Sequence, residues 1–403
     1  MPSWLSRLGA AAAVLRRPPA IELKQSATGP VIAMHFHGEP RWTPRDYAAL
    51  AREGYQKNAV AYRCVRMIAE AAASVPWLLY EGAREIDEHP LLALLARPNP
   101  RNSGPELFEA WYGNLQVAGN SYLEAVSFDG TVREIHALRP DRVKLVVGDD
   151  GWASAYEYTA AGRTIRFDQD RPGIPPILHM SLFHPVDDHY GLSPIEVAAS
   201  AIDIHNAASR WNKALLDNSA RPSGALVYAG VNGSANLTQD QFDRVKRELE
   251  DAYQGALNAG RPMLLEGGLD WKAMSLSPRD MDFIEAKHVA AREIALAFGV
   301  PPMLLGIPGD NTFANYQEAN RSFWRQTVLP LVAKTAKSLS AWLAPAYGNG
   351  LNLWFDVDAI EALSSEREAL WRRVTAADFL SADEKRAAVG YAPLAVEPGA
   401  DHE

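Results

Sequence analysis

Metal-ligand chemistry is possible in one short stretch. His184-Pro-Val-Asp187-Asp188-His189 sets two imidazoles and two carboxylates within six residues. These ligand types suit zinc or a similar divalent ion, and would serve a metal-dependent hydrolase. The same residues also suit a polar loop whose aspartates close turns and lead into a helix. Asp280, Asp282 and Glu285 crowd a helix start, where carboxylates do acid–base work or complement the helix dipole. His35-Phe36-His37 lies in an N-terminal stretch with no partner that spacing identifies. Arg244, Lys246 and Arg247 form a small basic face, interleaved with Asp243, Glu248, Glu250 and Asp251. That face is a phosphate contact or a solvated helix surface with i,i+4 pairs. The run Gly309–Tyr316 is different in kind: Asn311, Thr312 and Asn315 are polar, yet Phe313 and Tyr316 are aromatic. Either the two rings pack back onto the protein or they touch something outside it.

The sequence carries no phosphate-cradling Gly-x-x-x-x-Gly-Lys-Ser/Thr, no Gly-x-Ser-x-Gly elbow, no His-Glu-x-x-His and no Gly-x-Gly-x-x-Gly opening a helix. Its single cysteine, Cys64, excludes an intrachain disulfide framework and any Cys-rich zinc or iron–sulfur site. No cofactor is expected. The 403 residues are 47% hydrophobic and 22% charged, enough to bury a full core or two to three modules. The net charge of −9 does not fit a protein that grips phosphate along its whole surface. No apolar run reaches the roughly 18–20 residues that span a bilayer. Leu8–Leu15 is apolar but flanked on both sides by arginine, and reads as part of an N-terminal arm over 1–40.

The elements that must hold these groups begin with a helix capped by Asn58 and stopped by Pro76, then a second over about Glu106–Ala118 with Gly119 as its stop. Alternation at Tyr122, Glu124, Val126 and Phe128, with turns at Asp129-Gly130, Asp150-Gly151 and Ala161-Gly162, predicts an antiparallel meander. Strands are expected over 142–147, 155–159 and 177–183, giving an α+β module. Ser193-Pro-Ile-Glu196 starts a helix expected to reach about Ser219, and Ser277-Pro-Arg-Asp280 starts another ending at Gly299. Between them lies a small α/β insert: a strand at 224–229, a helix at 239–254 and a hairpin at 263–276. Pro301-Pro302 forms a stiff elbow. After Tyr316 a helix should run to Leu343, kinked by Pro330. A strand at 352–357 and a helix opened by the capping box Ser381–Glu384 complete the chain.

Several pieces, in this order, resemble the portal proteins of tailed bacteriophages, in the compact long-tailed-phage branch. They are Asn58–Ala69, His89–Asn99, Gly119-Asn-Ser-Tyr122, Gly191-Leu-Ser-Pro-Ile195, Asn218–Gly224, Asn258–Leu265, Glu293–Pro302 and Phe323–Pro330. The resemblance covers roughly 55–395. It implies a wing (41–193, α+β), antiparallel stem helices (194–220 and 278–300), a clip (221–277), an elbow and tunnel loop (301–317), a kinked wing-spanning helix (318–347) and a short crown (348–403). It implies a ring of about twelve copies in the virion, at one capsid vertex, of a phage or gene transfer agent. Double-stranded DNA would pass through the channel past Asn311, Thr312, Phe313, Asn315 and Tyr316. A large terminase motor and a head–tail adaptor would dock on the clip at Arg244, Lys246 and Arg247, and the major capsid protein would surround the ring. No enzymatic activity and no membrane are implied.

Overall fold

The computed structural model describes residues 42–170, 172–217, 224–228, 269–273, 283–308 and 312–391, together with 239, 240, 243, 244 and 247. In chain order the elements are α1 (Tyr47–Leu50), continued by a π-helical turn (Ala51–Gln56), α2 (Ala59–Ala73), β1 (Trp77–Glu81), β2 (Arg84–Glu85), α3 (Pro90–Ala96) and α4 (Gly104–Ala118). There follow β3 (Asn120–Phe128), β4 (Thr131–Leu138), β5 (Val143–Val147), β6 (Ala153–Ala160), β7 (Arg163–Asp168), β8 (Ile177–Ser181), α5 (Pro194–Val197) and α6 (Ala199–Asp217). The remainder is β9 (Gly224–Tyr228), β10 (Leu269–Ala273), α7 (Phe283–Ala297), α8 (Phe313–Phe323), α9 (Leu329–Tyr347), β11 (Leu351–Phe355), α10 (Ser364–Thr375) and α11 (Ala382–Ala388). Residues 41–214 and 277–403 form one compact unit, and 215–276 belong to a second.

The core of the larger unit is helical. On α2 the buried positions Ala61, Cys64, Val65, Ile68, Ala69 and Ala72 recur at helical spacing, and the small residues among them, the three alanines and Cys64, leave room for the bulky α4 face. That face is Leu107, Phe108, Trp111, Tyr112 and Leu115. From α9, Val332, Ala336, Leu339, Trp342 and Leu343 complete it. Burial of Cys64 among these side chains pushes its thiol up to about 12, so it is an inert packing residue.

Asn58 shows how one polar residue organises this region. Its Oδ1 accepts the N–H groups of Val60 (3.1 Å) and Ala61 (3.0 Å), capping α2. Its amide donates to His205 Nδ1 (3.2 Å) and Asn206 Oδ1 (3.0 Å) on α6, and Asn206 donates to the Glu53 carbonyl (2.9 Å). Asn58 is buried, so truncation both removes the cap and strands these partners. Asn58→Ala is therefore expected to lower unfolding stability by about 2–3 kcal/mol, checked by urea denaturation, with the midpoint falling at unchanged slope.

The meander divides into two sheets. One has the order β4-β3-β8 and the other β5-β6-β7, all antiparallel. A 3₁₀ turn at Pro140–Arg142 ends the first hairpin before β5, and β8 returns to pair with β3. Tyr122, Tyr156 and His179 pack between the sheets, with the Tyr122 ring stacked on the imidazole at 4.4 Å. A third sheet, β11-β1-β2, joins the chain's late strand to its early part, pairing Leu353 with Leu79.

Other expectations shift in detail. The helix after Ser193 has its predicted cap, with the Glu196 N–H on Ser193 Oγ at 3.1 Å. It is interrupted at Ala198 (ψ −1°), although hydrogen bonding runs through that residue to Ile202. In the second unit β10 pairs with β9, Trp271 opposite Leu226. The first arm of the expected hairpin, Met263–Leu265, lies outside the described residues, as does most of the helix expected at 239–254. The capping box at Ser381 and Glu384 forms in full. Among the described residues no helix is long and apolar enough to cross a membrane.

Candidate functional site: the elbow and the helix it feeds

The aromatic run read from the sequence is reached through α7. That helix ends in a left-handed turn at Gly299 (φ +66°), with the Val300 N–H donating to the Ala295 carbonyl at 2.9 Å. This is a Schellman-type stop, and Phe298 and Val300 are buried beside it. Pro301 and Pro302 then force a 3₁₀ turn over Pro302–Leu305, closed by Gly306 (φ +70°). Ile307 folds back onto Ala291 and Ala295, and the Arg292 guanidinium donates to the Pro308 carbonyl at 2.7 Å. The elbow is thus packed against the helix it leaves. Glu285 faces His288 (3.9 Å) and Arg292 (3.7 Å), so of the three carboxylates read at this helix start it is ion-paired; Asp280 and Asp282 lie outside the described residues.

Beyond the elbow the structure corrects the sequence reading. The helix expected after Tyr316 begins at Phe313, because Thr312 caps it: its Oγ1 accepts the Asn315 N–H at 3.2 Å, and the Tyr316 N–H bonds the Thr312 carbonyl at 3.0 Å. Asn315 and Tyr316 therefore stand on the first turn of α8 rather than in a loop. Both are exposed, Tyr316 by 48%. Phe313 opens the helix, and Asn311 lies outside the described residues. A threonine three residues before a polar helical position was the available signal for this start.

The kink expected at Pro330 takes the form of a π turn, Trp324–Val328, between α8 and α9. Across it the Leu329 N–H reaches the Trp324 carbonyl, five residues back. Pro330 supplies no N–H and its ring crowds the preceding turn, so widening by one residue relieves it. At this turn Thr327 Oγ1 donates to the Gly299 carbonyl at 2.6 Å. No sequence signal pointed to Thr327, since its partner lies 28 residues away.

The other candidates are placed as follows. Arg244 and Arg247 lie on helical backbone, Arg247 Nε donating to the Asp243 carbonyl at 3.2 Å, and Lys246 lies outside the described residues. In the histidine loop, Asp187 Oδ1 accepts the backbone N–H groups of His189 (2.8 Å) and Tyr190 (2.9 Å). Those two donors, Tyr190 first, hold its carboxyl below the usual range. His184 Nδ1 accepts the Val186 N–H at 3.2 Å. One oxygen of Asp187 and one nitrogen of His184 are thus turned onto the loop's own backbone, and among the described residues no group of three or more His, Cys, Asp or Glu is placed to hold an ion.

The family model for phage portal proteins matches residues 59–390, from α2 through α11. The chain belongs to the phage portal protein family. The portal chain is similar to one in the neck of an empty GTA (gene transfer agent) particle computed with C6 symmetry, at 54% identity and a TM-score of 0.71, covering 88% of this chain and 96% of that one. A chain in the neck of a native GTA particle computed with C12 symmetry gives 53% identity and a TM-score of 0.68 over the same shares. The portal protein of Enterobacteria phage HK97 is 25% identical over 392 residues, 93% of this chain and 86% of that protein. Portal proteins are structural, and the hydrolase reading of the histidine loop finds no support.

Proposed function

We propose that the portal chain forms a twelve-membered ring at one capsid vertex, through which double-stranded DNA is packaged, held and ejected. The observation that carries this is the match over 88% of the chain to a subunit from a particle neck computed with twelvefold symmetry. The 54% identity to that kind of particle, against 25% to the HK97 portal, favours a gene transfer agent over a free-living phage as its setting. Twelve copies at −9 total about −108, and such a surface repels phosphate broadly, which lets DNA slide rather than stick. On this reading the α+β body is the wing, 194–220 and 278–300 are the stem, 221–277 is the clip, and Asn311, Thr312, Phe313, Asn315 and Tyr316 approach the DNA. The terminase motor and the adaptor would meet Arg244, Lys246 and Arg247. The crown would include α10 and α11, which lie beyond β11 and whose one buried residue is Val374.

Two measurements test this. Purified protein should give a species of about 530 kDa, twelve chains of 44.2 kDa, in mass photometry, with a ring in negative stain. A strictly monomeric protein would sink the proposal. Deleting Asn311–Asn315 should leave ring mass unchanged while the yield of DNA-filled particles falls at least about tenfold. Normal filling in that variant would remove this segment from the mechanism.

A further inference from the structure

Helix α8 and helix α9 form one rod in the hydrogen-bonding sense, but they are held very differently. On α9, Val332, Ala336 and Leu339 are fully buried, as is Val328 at the end of the π turn. On α8, Ala314 through Glu318 are exposed, Ala319 through Ser322 are half-buried, and Phe323 is the first buried residue. The joint between the anchored half and the outer half is the π turn. On the outer side α8 meets the turns Pro302–Leu305 and Glu361–Leu363, and its polar contacts there, Arg321 to Ser365 Oγ (3.2 Å) and Arg325 to Glu366 (3.3 Å), are solvent-exposed. Exposed pairs of this kind bind weakly. At the joint itself Thr327, also near the surface, donates a 2.6 Å hydrogen bond to the carbonyl of Gly299, the residue that ends α7. The fit there is close: a Cβ on Gly299 would lie 2.9 Å from Thr327 Oγ1.

A π turn holds one residue more than the α-helix it interrupts. Gaining or losing that residue turns the helix beyond it by about 100° and moves it about 1.5 Å along its axis. We propose that Thr327 is a positioning residue: by latching the π turn to Gly299 it sets the rotational register of α8, and with it the direction in which Asn315 and Tyr316 point. The latch ties that register to the end of α7. The role of α8 near DNA rests on the reading above, whereas the latch itself does not.

The test uses the full-length chain with Thr327→Val, which keeps shape but loses the hydroxyl, and Thr327→Ser, which keeps the hydroxyl. Hydrogen exchange should quicken about tenfold for amides of 313–328 in Thr327→Val, with those of 329–347 unchanged and ring mass preserved. DNA-filled particles should fall at least about tenfold in that variant, and Thr327→Ser should match the parent in both readouts. Unchanged exchange over 313–328 would overturn the latch. So would faster exchange spreading through α9, which would mark Thr327 as an ordinary packing residue. Quickened exchange with normal filling would overturn the register-setting role while leaving the portal reading intact. Failure of the parent chain to form rings would count against the portal reading alone.

Discussion

Replacing Gly119 by alanine is expected to lower the stability of the larger unit by more than about 4 kcal/mol, the range reached only when a special backbone position is broken. Gly119 ends α4 with φ +72°. A side chain in that conformation costs roughly 1–2 kcal/mol by itself. The larger part is steric: a Cβ would lie 2.1 Å from the Gly191 carbonyl oxygen and 2.5 Å from its carbon. The contact is reciprocal, since a Cβ on Gly191 would lie 2.2 Å from the Gly119 oxygen. Neither backbone can retreat cheaply, because the Leu182 N–H bonds the Gly119 carbonyl (2.8 Å) and the Gly191 N–H bonds Asn120 Oδ1 (2.9 Å). Gly130→Ala is the control: its φ is +73° but nothing lies within 4 Å. That variant should lose only the conformational part. If urea denaturation places the two variants within about 1 kcal/mol of each other, the close approach is not what holds this junction.

The second large effect is acid sensitivity centred on His179. Its Nε2 faces Asn120 Oδ1 at 3.0 Å, an oxygen that also accepts the Gly191 N–H. An amide oxygen only accepts, so Nε2 carries the proton and Nδ1 takes the Tyr156 hydroxyl at 3.3 Å. Burial, with a smaller contribution from His189, pushes the imidazole down from 6.5 to about 4. The unfolded chain then binds a proton that the folded chain refuses between those values. Stability is accordingly flat above pH 6.5 and falls as pH drops towards 4, by about 3 kcal/mol from this group. His205 is lowered in the same direction, by burial and then by Lys287, and adds to the same limb. His179→Gln should therefore shrink the pH dependence rather than abolish it. The expected result is that the stability gap between parent and variant closes by about 3 kcal/mol between pH 7 and pH 4. A gap that stays constant with pH would show that His179 is not held neutral.

The readings that held in the described residues rest on local chemistry. Asn58, Ser193 and Ser381 start helices where their side chains reach the first free N–H groups, and Gly119 and Gly299 end them in left-handed turns. Such signals act within four or five residues, so they can be read without knowing the fold. Readings that depended on partners far along the chain did less well. The meander became two sheets, with β8 pairing β3 across more than fifty residues. The histidine loop shows the same limit in a candidate site: residue types permitted a metal, but geometry turned Asp187 and His184 onto the loop's own backbone.

The sequence by itself pointed to the family, to several helix starts and stops, to the Pro-Pro elbow and to the region where the long helix must deform. These follow from residue types that constrain their own backbone: proline without an N–H, glycine with positive φ, a capping hydroxyl. Only the tertiary structure decided that β8 pairs with β3 and that Thr327 meets Gly299, whereas the start of α8 at Phe313 follows from its local Thr312 cap. The reason is physical: those outcomes depend on which distant groups the core brings within hydrogen-bonding reach, and no local preference encodes that distance.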